Sequence, residues 1–131
     1  MDANYTLPNW KLIDYTLETI RKNQEGFDMS FYLSGSVYAP ECKTTMCFAG
    51  WVLTLTGHDL QWKKVEGFSR IVLDDQASSY DNSFIGRAAA QELNIDETSA
   101  ENIFYACHIN NNVDVLEQHI LHVLGPRPKE Y

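Results

Sequence analysis

Positive charge is scarce in this chain: ten lysines and arginines stand against eighteen aspartates and glutamates, for a formal net charge of -8. That scarcity argues against a phosphate-neutralising surface, because nucleic-acid binding normally begins with a basic patch. It argues equally against docking on an anionic membrane. Long hydrophobic runs are also missing. The longest, Met46 to Leu53, is far short of the roughly 20 residues that span a bilayer. The opening Met1-Asp2-Ala3-Asn4-Tyr5 lacks the basic-then-apolar pattern of a secretory signal. Cysteine is sparse, and three residues are too few for a disulfide scaffold, so a reducing cytoplasmic compartment is expected. The seven glycines are scattered singly. No low-complexity tract or repeat is present, and Ser34-Gly35-Ser36 has neither the lysine nor the glycine spacing of a phosphate-cradling loop.

What remains is ordinary globular composition over 131 residues, 44% of them hydrophobic, which suits one domain. The ordered core is expected over about residues 5–124, followed by a short proline-containing tail, 125–131. Asn9 is a good N-cap for a first helix whose apolar stripe is Trp10, Ile13, Leu17 and Ile20. Arg21 and Lys22 suit its last turn, and Gly26 is the expected terminator. Phe27 to Glu41 reads as extended, irregular chain. Thr44 or Thr45 is the expected cap of a second helix, Met46 to Thr56, with Gly57 as its stop. Nearly every position of that helix is apolar, so burial on most sides follows, with Gly50 allowing close approach by a neighbour. Leu60 to Val65 and Phe68 to Leu73 form a hairpin about Glu66-Gly67, and Asp74 to Asn82 is a polar connection. Three helices follow: Phe84 to Leu93 capped by Asn82 or Ser83, a second capped by Asp96, and Val113 to Leu124 ended by Gly125-Pro126. The expected fold is mainly α: a compact single domain of four to five short helices around a buried apolar helix, with a small β-hairpin.

The reactive residue types form weak constellations. Cys42, Cys47, Cys107 and His108 would make a Cys3His zinc set, but the spacings differ from the usual two close pairs. Cys47, His108 and Asn110 match the residue types of a thiol hydrolase, yet Cys47 leads directly into the apolar run, which favours burial. Asp74, Asp75, Asp81, Asp96, Glu97 and Glu101 lack calcium-loop periodicity. Asp96 reads more simply as an N-cap, and Glu97 and Glu101 suit the first turns of its helix. His119 and His122 share a helix face without a second ligand pair. No catalytic set, metal or other cofactor is called for.

Aromatic supply is more informative, because the chain carries seven tyrosines, six phenylalanines and three tryptophans, more than so small a core conceals. Tyrosine and tryptophan are common anchors of protein interfaces. From Gln91 to Pro126 there is no lysine or arginine, while Glu92, Asp96, Glu97, Glu101, Asp114 and Glu117 are all acidic. Those helices should carry a negative field and favour a basic protein partner. Trp62, Tyr80, Glu97, Glu101 and Tyr105 are the candidate partner-binding residues. A second possibility is a small-molecule or nucleotide-binding protein, built as a homo-oligomer. Its pocket would lie between Phe27–Glu41 and the apolar helix, with Tyr32, Tyr38, Arg70 and Arg87 as candidate ligand contacts.

The stretch Cys42-Lys43-Thr44-Thr45-Met46-Cys47-Phe48-Ala49-Gly50-Trp51 resembles a Cys-Gly-Thr-x-x-Cys-x-Ala-Gly-Trp signature of small bacteriophage and bacterial proteins, notably actinobacterial ones. Cys42, Thr44, Cys47, Ala49, Gly50 and Trp51 match it, and Lys43 stands where the signature has glycine. Ala88 to Ile95, then Ala100 and Ile103-Phe104, are similar to the later helices of that group. The resemblance implies a bacterial or phage cytoplasmic protein and implies no activity. The leading expectation is therefore a non-enzymatic protein–protein interaction module, phage-encoded and acting on a host or defence protein. A zinc or thiol enzyme is the least favoured reading.

Overall fold

A computed structural model of the chain describes residues 7–27, 47–65, 67–74, 83–106 and 112–129. Among these residues, five α-helices and one two-stranded antiparallel hairpin make a mainly helical fold. The first helix, α1, spans Trp10–Lys22, with the Asn9 side chain accepting from the Leu12 amide as predicted. Its stripe of Trp10, Ile13, Leu17 and Ile20 is buried, and with it Thr16, whose hydroxyl is satisfied by donating to the Leu12 carbonyl at 2.7 Å. Closure comes earlier than Gly26. Asn23 ends the helix with its amide on the Ile20 carbonyl, and Gly26 lies in a following 3-10 turn, Gln24–Gly26.

The second helix, α2, spans Phe48–Leu55, which corrects the expected start at Met46. Cys47 is extended, at φ -75 and ψ 179, and serves as N-cap through its backbone carbonyl, which accepts from Trp51. Thr44, Thr45 and Met46 lie outside the described residues. Phe48, Ala49, Gly50, Val52 and Leu53 are all buried. Gly57, at φ +90, supplies the left-handed residue of a Schellman closure, with its own amide on Thr54 and that of His58 on Leu53. The expected hairpin pairs β1, Leu60–Val65, with β2, Phe68–Leu73, setting Val65 opposite Phe68, with Gly67 at φ +84 in the turn.

Three helices follow: α3 (Ser83–Leu93), α4 (Glu97–Phe104) and α5 (Val113–Leu124). Asn94, at φ +58, closes α3 in a second Schellman arrangement, with Asn94 on Gln91 and Ile95 on Ala90. Only Asp96 then separates Ile95 from α4, so α3 and α4 meet across a very short connection. Asp96 caps α4 by accepting from the Ser99 amide, and Asn112 caps α5 by accepting from Asp114 and Val115.

The helices close a ring in which α2 packs on α1 and α3, α4 on α3 and α5, and α5 back on α1. The buried apolar helix is held between its flanking helices, with β1 also against it. Phe48 extends its reach to α4, where the Phe48 and Phe104 rings lie 6.3 Å apart at 46°, within the favourable range for aromatic pairs. Because Phe48 has no exposed surface, Phe48→Ala is expected to cost roughly 3–5 kcal/mol in urea unfolding. A loss below about 1 kcal/mol would remove it from the core.

His58 fastens the hairpin to α3. Its Nδ1 lies 2.6 Å from Asp74 Oδ2 and its Nε2 3.2 Å from Glu92 Oε1. Asp74 is itself held by the Asp59 amide at 2.8 Å, while the Asp59 carboxylate takes the Gln61 amide. Hydrogen bonding to Asp74 raises the His58 pKa above its ordinary 6.5 against the opposing effect of burial, with Glu92 adding to the rise. A neutral imidazole donates from one nitrogen only, so deprotonation removes one of the two bonds. A raised histidine pKa contributes stability that is complete below about 6.5, the unfolded value, and is lost as pH rises through the folded value. Wild-type stability in urea is thus expected to fall more steeply than that of His58→Gln as pH rises from about 6.5 through the folded value. Parallel pH profiles would show that the clasp contributes nothing.

Candidate functional site

Three of the five predicted partner residues, Glu97, Glu101 and Tyr105, line one cleft between α3 and α4. Its lining is Gly86, Arg87 and Ala90 from α3, Glu97, Ala100, Glu101 and Phe104 from α4, and Tyr105 at the end of α4. The α4 set has the spacing i, i+3, i+4, i+7 and so forms one stripe. Small residues explain the hollow: Gly86, Ala90 and Ala100 are buried and leave room between the two helices, and Phe104 is buried beside them. Arg87, Glu97, Glu101 and Tyr105 are exposed around that apolar floor. The cleft is thus a small apolar centre within a charged and aromatic rim.

Rim electrostatics are acidic. Arg87 Nε pairs with Glu97 Oε1 at 3.5 Å, and Glu101 has no ion-pair partner among the described residues. One positive and two negative groups leave the rim with a net charge of -1. Asp96, at the adjoining helix start, is held below its ordinary pKa by the Ser99 hydroxyl and amide. Much of the acidity predicted for the other late helix is neutralised. Arg21 pairs with Asp114 and Glu117, and Arg127 with Asp14 and Glu117. Burial opposes the charge on Glu117, yet the two arginines hold its pKa below the ordinary value. The negative field is therefore less even along these helices than the residue count suggests, and the α3–α4 side keeps a carboxylate without a cation.

The remaining candidates fare differently. Arg87 lies in the same cleft as the partner residues, whereas the sequence reading placed it with Arg70 in a ligand pocket. Arg70 stands opposite Lys63 in the hairpin, and its side chain lies outside the described residues, as does that of Trp62. Tyr32, Tyr38, Tyr80, Cys42, Thr44, Cys107, His108 and Asn110 lie outside them altogether. Of the signature residues, Cys47, Ala49 and Gly50 are buried, and half-buried Trp51 donates its indole N–H to the Gly26 carbonyl at 2.9 Å. His119 is not merely part of an exposed face, because its Nε2 lies 2.7 Å from the Asn102 carbonyl and links α5 to α4. No group of three or more metal-ligating side chains occurs among the described residues, and no helix among them is long and apolar enough to cross a membrane.

Gly86, Ala90, Ala100 and Phe104 are not among the site residues expected from the sequence. The available signal was the small residues at 86, 90 and 100, with Gly86 next to Arg87 and Ala100 next to Glu101. Comparison of the chain with protein-family models, curated proteins and solved structures gave no match. The exposed Arg87–Glu97 pair, at 64% and 71% side-chain accessibility, belongs to the class worth little to stability. Arg87→Ala is accordingly expected to change unfolding stability by less than about 0.5 kcal/mol. A loss well above about 1 kcal/mol would make this arginine a structural element of the α3–α4 joint.

Proposed function

We propose that this chain is a non-enzymatic interaction module that docks a basic segment of a protein partner in the α3–α4 cleft. The observation that carries the reading is the convergence of Arg87, Glu97, Glu101 and Tyr105 around one small apolar floor. Tyr105 keeps 56% of its surface exposed, as an anchor for a partner would. The cleft volume of about 70 Å³ suits one inserted side chain and is far below the roughly 300–1,000 Å³ of small-molecule pockets. A lysine or arginine from the partner would meet Glu101 across a rim of its own opposite sign. The resemblance of the Cys42–Trp51 stretch to phage and bacterial proteins makes a host or defence protein the proposed target.

Small-molecule binding is the competing reading, and its best place is elsewhere. A depression of about 500 Å³ is lined by Arg21 to Gly26 and Trp51. Its two cations already have partners, Arg21 on Asp114 and Glu117 and Lys22 on Glu18, so an anionic ligand would have to displace carboxylates. Tagged wild type and two full-length variants, Glu101→Lys and Tyr105→Ala, decide between the readings when incubated with bacterial lysate and passed over size exclusion. The docking reading expects a stoichiometric complex with wild type and a loss of about tenfold or more with Glu101→Lys. Undiminished complex with both variants, or stabilisation by nucleotides without any complex, would overturn it.

A further inference from the structure

Arg127 is held more elaborately than an ordinary surface ion pair. Its Nε lies 2.9 and 3.1 Å from the two Asp14 carboxylate oxygens, and its Nη2 lies 2.6 Å from Asp14 Oδ1. The same Nη2 reaches Glu117 Oε2 at 2.7 Å, and the guanidinium carbon sits over the Trp10 ring, 5.3 Å from its centroid. Two carboxylates and an indole face thus enclose the Arg127 guanidinium, in a notch where α1 supplies Trp10 and Asp14 and α5 supplies Glu117, whose other oxygen is held by Arg21. Arg127, Asp14 and Glu117 retain only 27%, 26% and 21% side-chain exposure. A fork laid on one carboxylate and stacked on an aromatic ring is recognition specific to guanidinium, which a lysine ammonium does not reproduce.

The way Arg127 is tethered makes the occupant exchangeable. Beyond Gly125, at φ +87, the two prolines that flank Arg127 have no N–H to donate. Among the described residues, all polar contacts of 126–129 with the helices run through the Arg127 side chain. The guanidinium can therefore leave without breaking a backbone hydrogen bond, while Arg21 stays on the other Glu117 oxygen and keeps that carboxylate in place beside Asp14 and Trp10.

We propose that the Trp10–Asp14–Glu117 notch is a guanidinium-binding site with Arg127 as its resident occupant, and that an arginine-bearing segment of a protein partner takes that place in trans. The notch shares no residue with the α3–α4 cleft, so its test succeeds or fails independently of the docking reading. Full-length Arg127→Ala, with wild type alongside, is titrated with N-acetyl-argininamide and followed by calorimetry and thermal melting. Binding to the variant with a rise in melting temperature is expected, as is absence of both in wild type over the same range. N-acetyl-lysinamide is expected to bind about tenfold or more weakly, and adding Asp14→Asn to the variant to abolish binding. If Arg127→Ala does not fold, Arg127→Gln takes the same titration. No binding, equal binding of the lysine analogue, or binding that survives Asp14→Asn would overturn the proposal and leave Arg127 as a structural ion pair. A wild-type dimer that dissociates in Arg127→Ala would also overturn it, in favour of exchange between copies of this chain.

Discussion

Burial of the apolar helix α2 is what the rest of the structure depends on, and the contact between Phe48 and Phe104 carries that core to α4. Phe48 belongs to the apolar helix, flanked by α1, α3 and the hairpin, and it has no exposed surface. Phe104 belongs to α4, and it is both core and cleft lining. Phe104 thus belongs both to the burial that stabilises the fold and to the floor of the hollow that faces solvent. Interiors are close-packed, so a change in ring size at either position is felt at the cleft as well as in the core.

Around that contact, the chain uses polar clasps to fix elements that hydrophobic burial alone would leave free to slide. Asn9 and Asn94 bind the start of α1 to the end of α3, with the Asn9 amide on Leu93 and the Asn94 side chain on Leu7. His58 joins the hairpin to α3, Trp51 joins α2 to the turn after α1, and Arg127 joins the segment after α5 to α1. Each such contact is worth modest free energy, but each fixes the placement of an element. The short α3–α4 connection and the long-range clasps together give a scaffold on which a shallow site can be held with defined geometry.

Much of this was legible from local pattern. The helix stripes at Trp10, Ile13 and Leu17, the caps at Asn9 and Asp96, and the glycine at 67 in the hairpin all act within a few residues, so the sequence carries their signal. The start of α2 differs from the expected one because two threonines look like caps, whereas the helix begins after an extended Cys47 that caps through its backbone carbonyl. The site was legible in part. Glu97, Glu101 and Tyr105 were singled out for charge and exposure, but what turns them into a site is the small residues of a different helix. Arg127 illustrates the limit most clearly. Its partner Asp14 lies 113 residues away, and no periodicity or motif encodes a contact of that range.

The account makes α2 and the cleft helices parts of one cooperative unit, and native-state hydrogen exchange tests this directly. Backbone amides of Val52 and Leu53 in α2, Ala89 and Leu93 in α3, and Ile103 and Phe104 in α4 should exchange with the free energy of global unfolding. Exchange of the α4 amides through a separate, low-energy opening while α2 stays protected would contradict it. The cleft would then be a loosely attached surface instead of a feature built on the core.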